Sequence, residues 1–176
     1  MGMDSFCRAT SSDAEQIAQL VNSAYRPKPG AAGWTHEADL VCGDRVNAAQ
    51  VVDKIAKPDS AVLIGRKGSE IVACIHVEKV GDESHLGMFA VTPGLQGGGM
   101  GKQLLAYSER YAGTTFAAKK FVMLVISARS DLIAFYIRRG YRQTALVMEY
   151  PLLVNAGIPK CDGLQVIVLN KDFGND

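Results

Sequence analysis

The sequence has little net charge, few potential metal ligands and no long apolar run, and each absence narrows the possible function. Its 19 basic and 18 acidic residues leave a formal charge of +1, so neither nucleic acid nor an anionic membrane is expected as a partner. No apolar run approaches the roughly 20 residues that a membrane span requires. Four scattered cysteines, without a Cys-x-x-Cys pair, and three histidines give no support for a zinc site.

The first residues also lack the features of a targeting signal. Residues 1–6 contain neither a basic segment nor an apolar segment after it, so no signal peptide is expected. Together these absences predict a reduced, metal-free protein of the cytoplasm.

The overall composition is typical of one globular domain. The 176 residues are 48% hydrophobic and 21% charged, proportions unlike those of disordered chains. A chain of this length buries enough surface for one substantial core, and no linker rich in proline and serine divides it. We therefore expect a single domain over residues 1–176.

Hydrophobic periodicity and turn residues predict an alternating set of strands and helices. Strands are predicted at residues 5–10, 61–66, 70–79, 83–91, 121–127, 145–153 and 164–170. Helices are predicted after a capping box formed by Ser12 and Glu15, after Asn47 as N-cap, and at residues 101–112 and 131–139. The order β-α-α-β-β-β-α-β-α-β-β indicates an α/β (α+β) fold, with a mixed sheet covered by helices on both faces.

A glycine-rich loop lies between the strand at 83–91 and the helix at 101–112. It consists of Gln96, Gly97, Gly98, Gly99, Met100, Gly101 and Lys102. Glycines at such a position allow the backbone to approach a ligand closely, and the free N–H groups at a helix start favour an anion. A flexible turn that binds no ligand is the alternative interpretation.

Three phosphate-binding patterns can be distinguished within this loop. The P-loop pattern fails because Gln96 and Gln103 replace a required glycine and a required Ser or Thr. The dinucleotide fingerprint fails because Met100 or Lys102 occupies a required glycine position. The pattern Gln/Arg-x-x-Gly-x-Gly does fit the loop. A nucleotide-binding switch is therefore disfavoured.

Charge is distributed unevenly around the loop. Residues 97–142 contain eight basic and two acidic side chains, whereas residues 1–96 and 143–176 are both net acidic. A basic segment around an anion-binding loop suits a polyanionic ligand, although a solvated basic surface would have the same composition.

Two elements of the sequence resemble the Gcn5-related N-acetyltransferase (GNAT) superfamily. The glycine loop follows a strand that ends in Val91-Thr92-Pro93, and residues 134–141 are similar to the family's x-Phe-Tyr-x-x-x-Gly-Phe helix. The resemblance covers roughly residues 5–169 and is strongest between 86 and 141. In one departure, Arg129 stands where many members have an asparagine near the cofactor; an arginine there is also able to reach a phosphate.

The resemblance implies a mostly antiparallel GNAT-type sheet of about seven strands and acetyl transfer from acetyl-CoA to an amine in a ternary complex. In the family, the strand before the loop is bulged and splays from the next parallel strand, and its backbone pairs with the pantetheine arm. The cofactor-binding residues that it implies are Phe89, Val91, Gln96, Gly97, Gly98, Gly99, Met100, Gly101 and Lys102.

The same resemblance suggests catalytic roles for Tyr136 and His85. The Tyr136 phenol is the expected general acid for the leaving thiolate, although its helical spacing with apolar neighbours also fits a core position. His85 is the expected base, because histidine alone changes charge near neutral pH without perturbation. Rival bases are Glu78 and His76, and an exposed histidine without a catalytic role is the alternative.

The acceptor is the least defined part of the prediction. It is expected to be a primary amine of a small molecule or peptide. Trp34 could form a wall of its pocket, with Glu37 or Asp39 attracting the ammonium group; alternatively, Trp34 anchors its loop to the core. A non-catalytic acyl-CoA binding or sensor module is the competing function, and a homodimer stays possible.

Overall fold

A computed structural model describes residues 3–152 and 155–174. Over these ranges the chain forms four α-helices: α1 (Ala14–Tyr25), α2 (Ala48–Ala56), α3 (Met100–Thr115) and α4 (Ser130–Ile137). It also forms nine strands: β1 (Ser5–Arg8), β2 (Val41–Cys42), β3 (Ser60–Lys67), β4 (Glu70–Val80), β5 (Glu83–Val91), β6 (Lys120–Ile126), β7 (Arg142–Glu149), β8 (Ile158–Pro159) and β9 (Gln165–Asp172). The strand predicted at 145–153 corresponds to β7, and its predicted last residue, Leu153, lies outside the described residues.

Seven of the strands form one sheet in the order β1-β3-β4-β5-β6-β9-β7. Only β5 and β6 pair in parallel, and the other neighbours are antiparallel. The predicted mixed, mostly antiparallel sheet of about seven strands is therefore confirmed. The short strands β2 and β8 form a separate two-stranded ribbon, which periodicity did not predict because each has two residues.

Helices cover both faces of the sheet, as predicted. One core cluster joins α3 and α4 to one face and includes Leu104, Phe121 and Tyr141. A second cluster joins α1 and α2 to the opposite face and includes Ile17 and Val51. None of the helices in the described part of the chain is long and apolar enough to cross a membrane.

The first helix starts differently from the prediction. The capping box assigned to Ser12 and Glu15 is wrong, because the Thr10 backbone N–H donates to Asp13 Oδ2 at 2.8 Å and the Thr10 hydroxyl bonds to the same oxygen. The reciprocal pair therefore lies two residues earlier, and residues 11–13 form a 3-10 turn before α1. The Asn47 cap of α2 is confirmed by a 2.9 Å hydrogen bond from the Gln50 backbone N–H to Asn47 Oδ1.

A bulge in β5 opens the sheet at its centre. The register with β4 shifts near Met88, which adopts a positive φ of 50°. The shift reverses the alternation of side chains, since Leu86 packs in the α3-side cluster and Met88 in the α1-side cluster. β5 and β6 pair only from Glu83–His85 to residues 120–122 and then separate. This is the V-shaped opening that the family resemblance implied.

Candidate active site

Two cavities meet where β5 and β6 separate. The first, which we call the glycine-loop cleft, has a volume of about 550 Å³ and lies between the end of β5, the glycine loop and α4. The second, the α2 cavity, has a volume of about 530 Å³ and lies between α2, β5 and β6. Both are lined by Tyr25, Phe89, Arg129 and Leu132, so these four residues mark the junction.

The glycine loop presents backbone N–H groups at the start of α3. Gly97 and Gly99 adopt φ values of +84° and +85°, a conformation that disfavours other residues. α3 begins at Met100, so the N–H groups of Met100, Gly101 and Lys102 lie in its first turn and have no partner inside the helix. Such a turn is an anion-binding site.

The structure brings most of the predicted cofactor residues to the glycine-loop cleft. Seven of them line it: Phe89, Val91, Gln96, Gly97, Gly99, Gly101 and Lys102. Met100 is buried beneath the loop, and Gly98 is not among the lining residues. These two residues therefore contribute to the shape of the loop. Met100 also supplies a backbone N–H group in the first turn of α3.

The side chain of Gln96 stabilises this loop from within. Its Nε2 donates to the Val91 carbonyl at 3.2 Å, and its Oε1 accepts from the Thr35 N–H at 3.3 Å. It also lies against Gly33, where an added Cβ would come within 2.0 Å of Gln96 Oε1. Gln96 thus joins the glycine loop to the segment that follows α1.

Besides Arg129, three cations line the cleft: Lys102, Arg138 and Arg139. The Arg139 guanidinium lies 3.5 Å from the centroid of the Phe135 ring and donates a 2.6 Å hydrogen bond to the Phe135 carbonyl. Its Nε is buried without a partner in the described part of the chain. Partial burial, followed by the charge of Arg138, lowers the pKa of Arg139. This excess of positive charge favours an anionic ligand.

Tyr136 lies in α4 at the wall of the α2 cavity. Its ring packs against Phe135, Tyr141 and Phe89, with centroid distances of 5.3, 5.7 and 6.4 Å. Only 4% of the residue is exposed, and burial raises the pKa of the phenol well above its usual value. The hydroxyl is therefore protonated at neutral pH.

The three predicted bases all line the α2 cavity, but in different states. Burial, then the nearby Lys54, lowers the pKa of His76 to about 4, and its Nε2 bonds to Ser60 Oγ at 2.8 Å. Burial would raise the pKa of Glu78, but its ion pair with Lys57 outweighs burial and lowers it. Both are therefore weak bases at neutral pH.

His85 is the more accessible of these groups. Its side chain is 45% exposed, and its Nε2 lies 3.6 Å from Glu83 Oε2. It lies in the short segment where β5 still pairs with β6. The side chain therefore faces the α2 cavity just before the two strands separate.

A buried ionic network lies at the cavity junction. No short segment of the sequence predicts it. Arg129 Nη2 donates to Thr35 Oγ1 at 2.7 Å, and its Nη1 lies 3.5 Å from Glu37 Oε2. Arg26 also pairs with Glu37 and donates to the Ala156 carbonyl at 2.7 Å. The partners come from segments far apart in the chain, so only the folded structure brings them together.

This network corrects two expectations. Glu37 is 4% exposed and lies between two arginines, so it does not offer a free carboxylate to an ammonium group; Asp39 is exposed and lines neither cavity. Arg129 is itself buried on Thr35 and Glu37, so its guanidinium already has partners inside the protein.

Trp34 also differs from one of its expected roles. It is 46% exposed, so it does not anchor its loop in the core. It lines the glycine-loop cleft, with its ring centroid 6.3 Å from that of Phe135, and not the α2 cavity. Trp34 therefore extends the aromatic wall of the cleft.

Among the described residues, no three His, Cys, Asp or Glu side chains lie together as possible metal ligands.

Solved structures share this fold at low sequence identity. The PaiA N-acetyltransferase from Thermoplasma acidophilum in complex with coenzyme A is 14% identical, with a TM-score of 0.73, over 96% of this chain and 98% of that one. The ribosomal-protein-S18-alanine N-acetyltransferase from Escherichia coli is 15% identical, with a TM-score of 0.68, over 96% and 92%. A GNAT family acetyltransferase from Elizabethkingia anophelis with acetyl-CoA bound is 20% identical, with a TM-score of 0.57, over 65% and 76%.

The sequence was also compared with known protein families and with curated proteins. No curated protein matches it, but residues 35–150, about two thirds of the chain, match the acetyltransferase (GNAT) domain family. The matched range includes the bulged strand, the glycine loop, α3 and α4. The chain therefore belongs to the GNAT family of acetyltransferases.

Proposed function

We propose that the protein is an acetyl-CoA-dependent N-acetyltransferase that acts on a primary amine of a small molecule or peptide by direct attack in a ternary complex. The observation that carries the proposal is the junction of the glycine-loop cleft with the α2 cavity at Phe89 and its neighbours. A thioester held in the cleft and an amine held in the cavity would meet there, with Tyr136 on the cavity wall.

The residues of the cleft fit coenzyme A. The first-turn N–H groups of α3 suit a pyrophosphate, and Lys102, Arg138 and Arg139 supply positive charge for phosphate groups. Beyond His85, β5 has no partner strand on its β6 side, so its backbone N–H and C=O groups are free to pair with the pantetheine amides as an added strand would. Related structures of this fold contain coenzyme A or acetyl-CoA, which supports the assignment.

The acceptor must lose a proton before it attacks. An alkylammonium has a pKa near 10.4, so at pH 7.4 only about one molecule in a thousand is neutral. We propose that His85 takes this proton, directly or through water in the α2 cavity, because it is the most exposed of the three groups and the pKa values of Glu78 and His76 are lowered. General base catalysis of this kind contributes about 10²–10⁴-fold.

The leaving thiolate must gain a proton. Acetyl-CoA supplies the activated acyl group, and in this proposal Tyr136, which lines the α2 cavity beside the junction, donates a proton to the departing sulfur. A backbone N–H near Phe89, on the bulged strand, would stabilise the developing oxyanion.

Two measurements separate this enzyme from an acyl-CoA sensor. Thermal-shift experiments with acetyl-CoA, ATP and NAD should give a marked shift with acetyl-CoA alone, because a ligand at 100 times its Kd stabilises by about 2.7 kcal/mol. Turnover across an amine panel should then be followed by product mass, since the free cysteines Cys42 and Cys161 are exposed and would react with thiol reagents. A shift with ATP but not acetyl-CoA would contradict the proposal, and binding without turnover would favour the sensor.

We also propose that a second copy of the chain pairs with β7. This strand forms an edge of the sheet and exposes Leu146, Val147 and Met148, and exposed apolar edges favour strand pairing. In a two-fold antiparallel pair, Arg142 of one copy would approach Glu149 of the other. Light scattering of the protein and of a Val147→Lys variant would test this; a monomeric wild type would contradict it.

A further inference from the structure

The α2 cavity has two cations that the network at the junction does not use. Arg45 precedes α2 and Lys54 lies within it, and both line the cavity. Within residues 3–152 and 155–174, neither has a carboxylate within 4 Å of its charged group. By contrast, the other two cations of the lining, Lys57 and Arg129, are paired with Glu78 and Glu37.

The position of Arg45 is fixed by the fold. Asn22 Oδ1 accepts hydrogen bonds from the N–H groups of Arg45 and Val46, at 2.8 and 3.2 Å, and Asn22 Nδ2 donates to the Val46 carbonyl at 2.8 Å. The Arg45 guanidinium lies 5.3 Å from the centroid of the Tyr25 ring. These contacts hold the backbone and the face of the guanidinium, and among the described residues they leave its N–H donors without a protein acceptor.

The two cations also act on one another and on the groups around them. Burial, followed by the nearby Arg45, lowers the pKa of Lys54, and both cations contribute to the lowered pKa of His76. The carboxylates of the lining offset them only in part, since Glu37 and Glu78 are already paired, Asp53 is exposed, and the pKa of Lys54 stays lowered although Glu78 and Asp53 act to raise it. Two like charges facing one cavity repel each other until an anion binds between them.

A cavity of this kind is unfavourable for a simple cationic amine, because the ammonium group would be repelled. It is favourable for a molecule with an amine at one end and an anion at the other. The anion would bind Arg45 and Lys54, and the amine would then point toward the junction at Phe89. The same positive field disfavours the ammonium form of the amine, which helps to produce the neutral nucleophile.

We propose that the acceptor carries a carboxylate or a phosphate in addition to its amine, and that Arg45 and Lys54 bind this anionic group. The inference rests on the proposed function, since it names the class of acceptor that the same site would use.

The test compares matched acceptors that differ in charge. n-Butylamine is paired with 4-aminobutanoate, and ethanolamine with O-phosphoethanolamine, so that the two pairs distinguish a carboxylate from a phosphate. Binding to the CoA-loaded protein is measured by calorimetry, where no turnover takes place, and product formation with acetyl-CoA is measured by mass spectrometry. In at least one pair, the acceptor with the anionic group should bind and react better than its partner without that group by about tenfold to a hundredfold, the range expected for a hydrogen bond to a charged group.

Arg45→Gln and Lys54→Gln should remove most of that preference, because they weaken binding of the acceptor that has the anionic group and reduce the repulsion of the simple amine, whereas Arg45→Lys should retain part of it. Lys67→Gln, which removes an exposed charge at the end of β3, is the matched control and should change neither member. Equal binding of the two members of each pair, binding of neither, or an equal loss for both members in the variants contradicts the inference. Arg45-dependent binding of an acceptor with an anionic group, without turnover, supports the inference and contradicts the proposed function. Turnover without any preference for the anionic group supports the proposed function and contradicts the inference.

Discussion

Arg129 and Thr35 are 94 positions apart in the sequence, yet Arg129 Nη2 donates a 2.7 Å hydrogen bond to Thr35 Oγ1. The Thr35 N–H donates in turn to Gln96 in the glycine loop. Thr35 therefore connects the start of α4 with the glycine loop, across the junction of the two cavities. Changes in this network are expected to affect stability as well as the shape of the site.

Arg129→Gln should destabilise the fold, because it removes one of the two arginines beside the buried Glu37. Loss of a hydrogen bond to a charged group typically costs about 1.5–3 kcal/mol, and urea unfolding would measure it. Thr35→Val keeps the side-chain shape and removes only the hydroxyl that accepts from Arg129, so it should cost about 1.5 kcal/mol, the lower end of that range. Wild-type stability in Arg129→Gln would show that the network contributes nothing.

Tyr136→Phe should lower kcat by about a hundredfold, in the range typical of a lost general acid. The ring contacts with Phe89, Phe135 and Tyr141 do not involve the hydroxyl, so the unfolding midpoint should stay close to that of the wild type. Tyr107→Phe is the control, since Tyr107 stacks on Phe6 and lines neither cavity. Full activity in Tyr136→Phe would end the assignment of Tyr136 as the acid.

His85→Ala should lower kcat/KM by at least about tenfold and change its dependence on pH. A base must be neutral to accept a proton, so the wild-type rate should fall as pH falls, and this fall should disappear in the variant. Glu78→Gln should keep it, because Glu78 is already paired with Lys57. A pH profile unchanged by His85→Ala, but altered by Glu78→Gln, would transfer the role to Glu78.

Gly99→Ala should weaken coenzyme A binding by about tenfold or more, a loss comparable with that of a charge-assisted hydrogen bond. Gly99 has φ +85°, and an alanine there would shift the loop amides. Gly68→Ala is the matched control, since Gly68 has φ +59° in the turn between β3 and β4, and a Cβ at either glycine meets no atom within 4 Å. Both variants should lose about 1 kcal/mol of stability, but only Gly99→Ala should bind coenzyme A less tightly. Equal affinities would show that the loop conformation does not matter for binding.

His76 should make the fold less stable in mild acid. Its pKa is about 4 in the folded protein and about 6.5 in an unfolded chain. Between these values only the unfolded state binds the proton, so the stability present above pH 6.5 decreases as pH falls toward 4, by about 3 kcal/mol in total. Urea unfolding from pH 7.5 to 4.5 should show this decrease, and His76→Gln should reduce it. His85→Ala, which changes a half-exposed histidine, should leave the decrease intact.

The sequence was informative where chemistry and structure are local. The glycine loop, the Phe135-Tyr136 pair of α4 and the alternation along β5 are each contained in a short segment, so their elements and the family could be predicted. The start of α1 was misplaced because Thr10 and Asp13 compete with Ser12 and Glu15 for the same capping role.

The partners in the site depend instead on long-range packing. Nothing near Glu37 in the sequence indicates that Arg26 and Arg129 neutralise it, or that Trp34 turns toward Phe135. Likewise, Arg45 and Lys54 become a pair only when α2 packs beside β5. The class of acceptor that we infer from these contacts was therefore not accessible from local patterns.

In the proposed reaction, an acetyl group passes from acetyl-CoA to an amine at the junction of the two cavities. Mass spectrometry of the products formed by the wild-type protein, acetyl-CoA and the amine panel tests this transfer. We expect one N-acetylated amine for each coenzyme A released, and we expect Tyr136→Phe to reduce the amounts of both products together. Acetyl-CoA that binds tightly while every amine is recovered unmodified would contradict it.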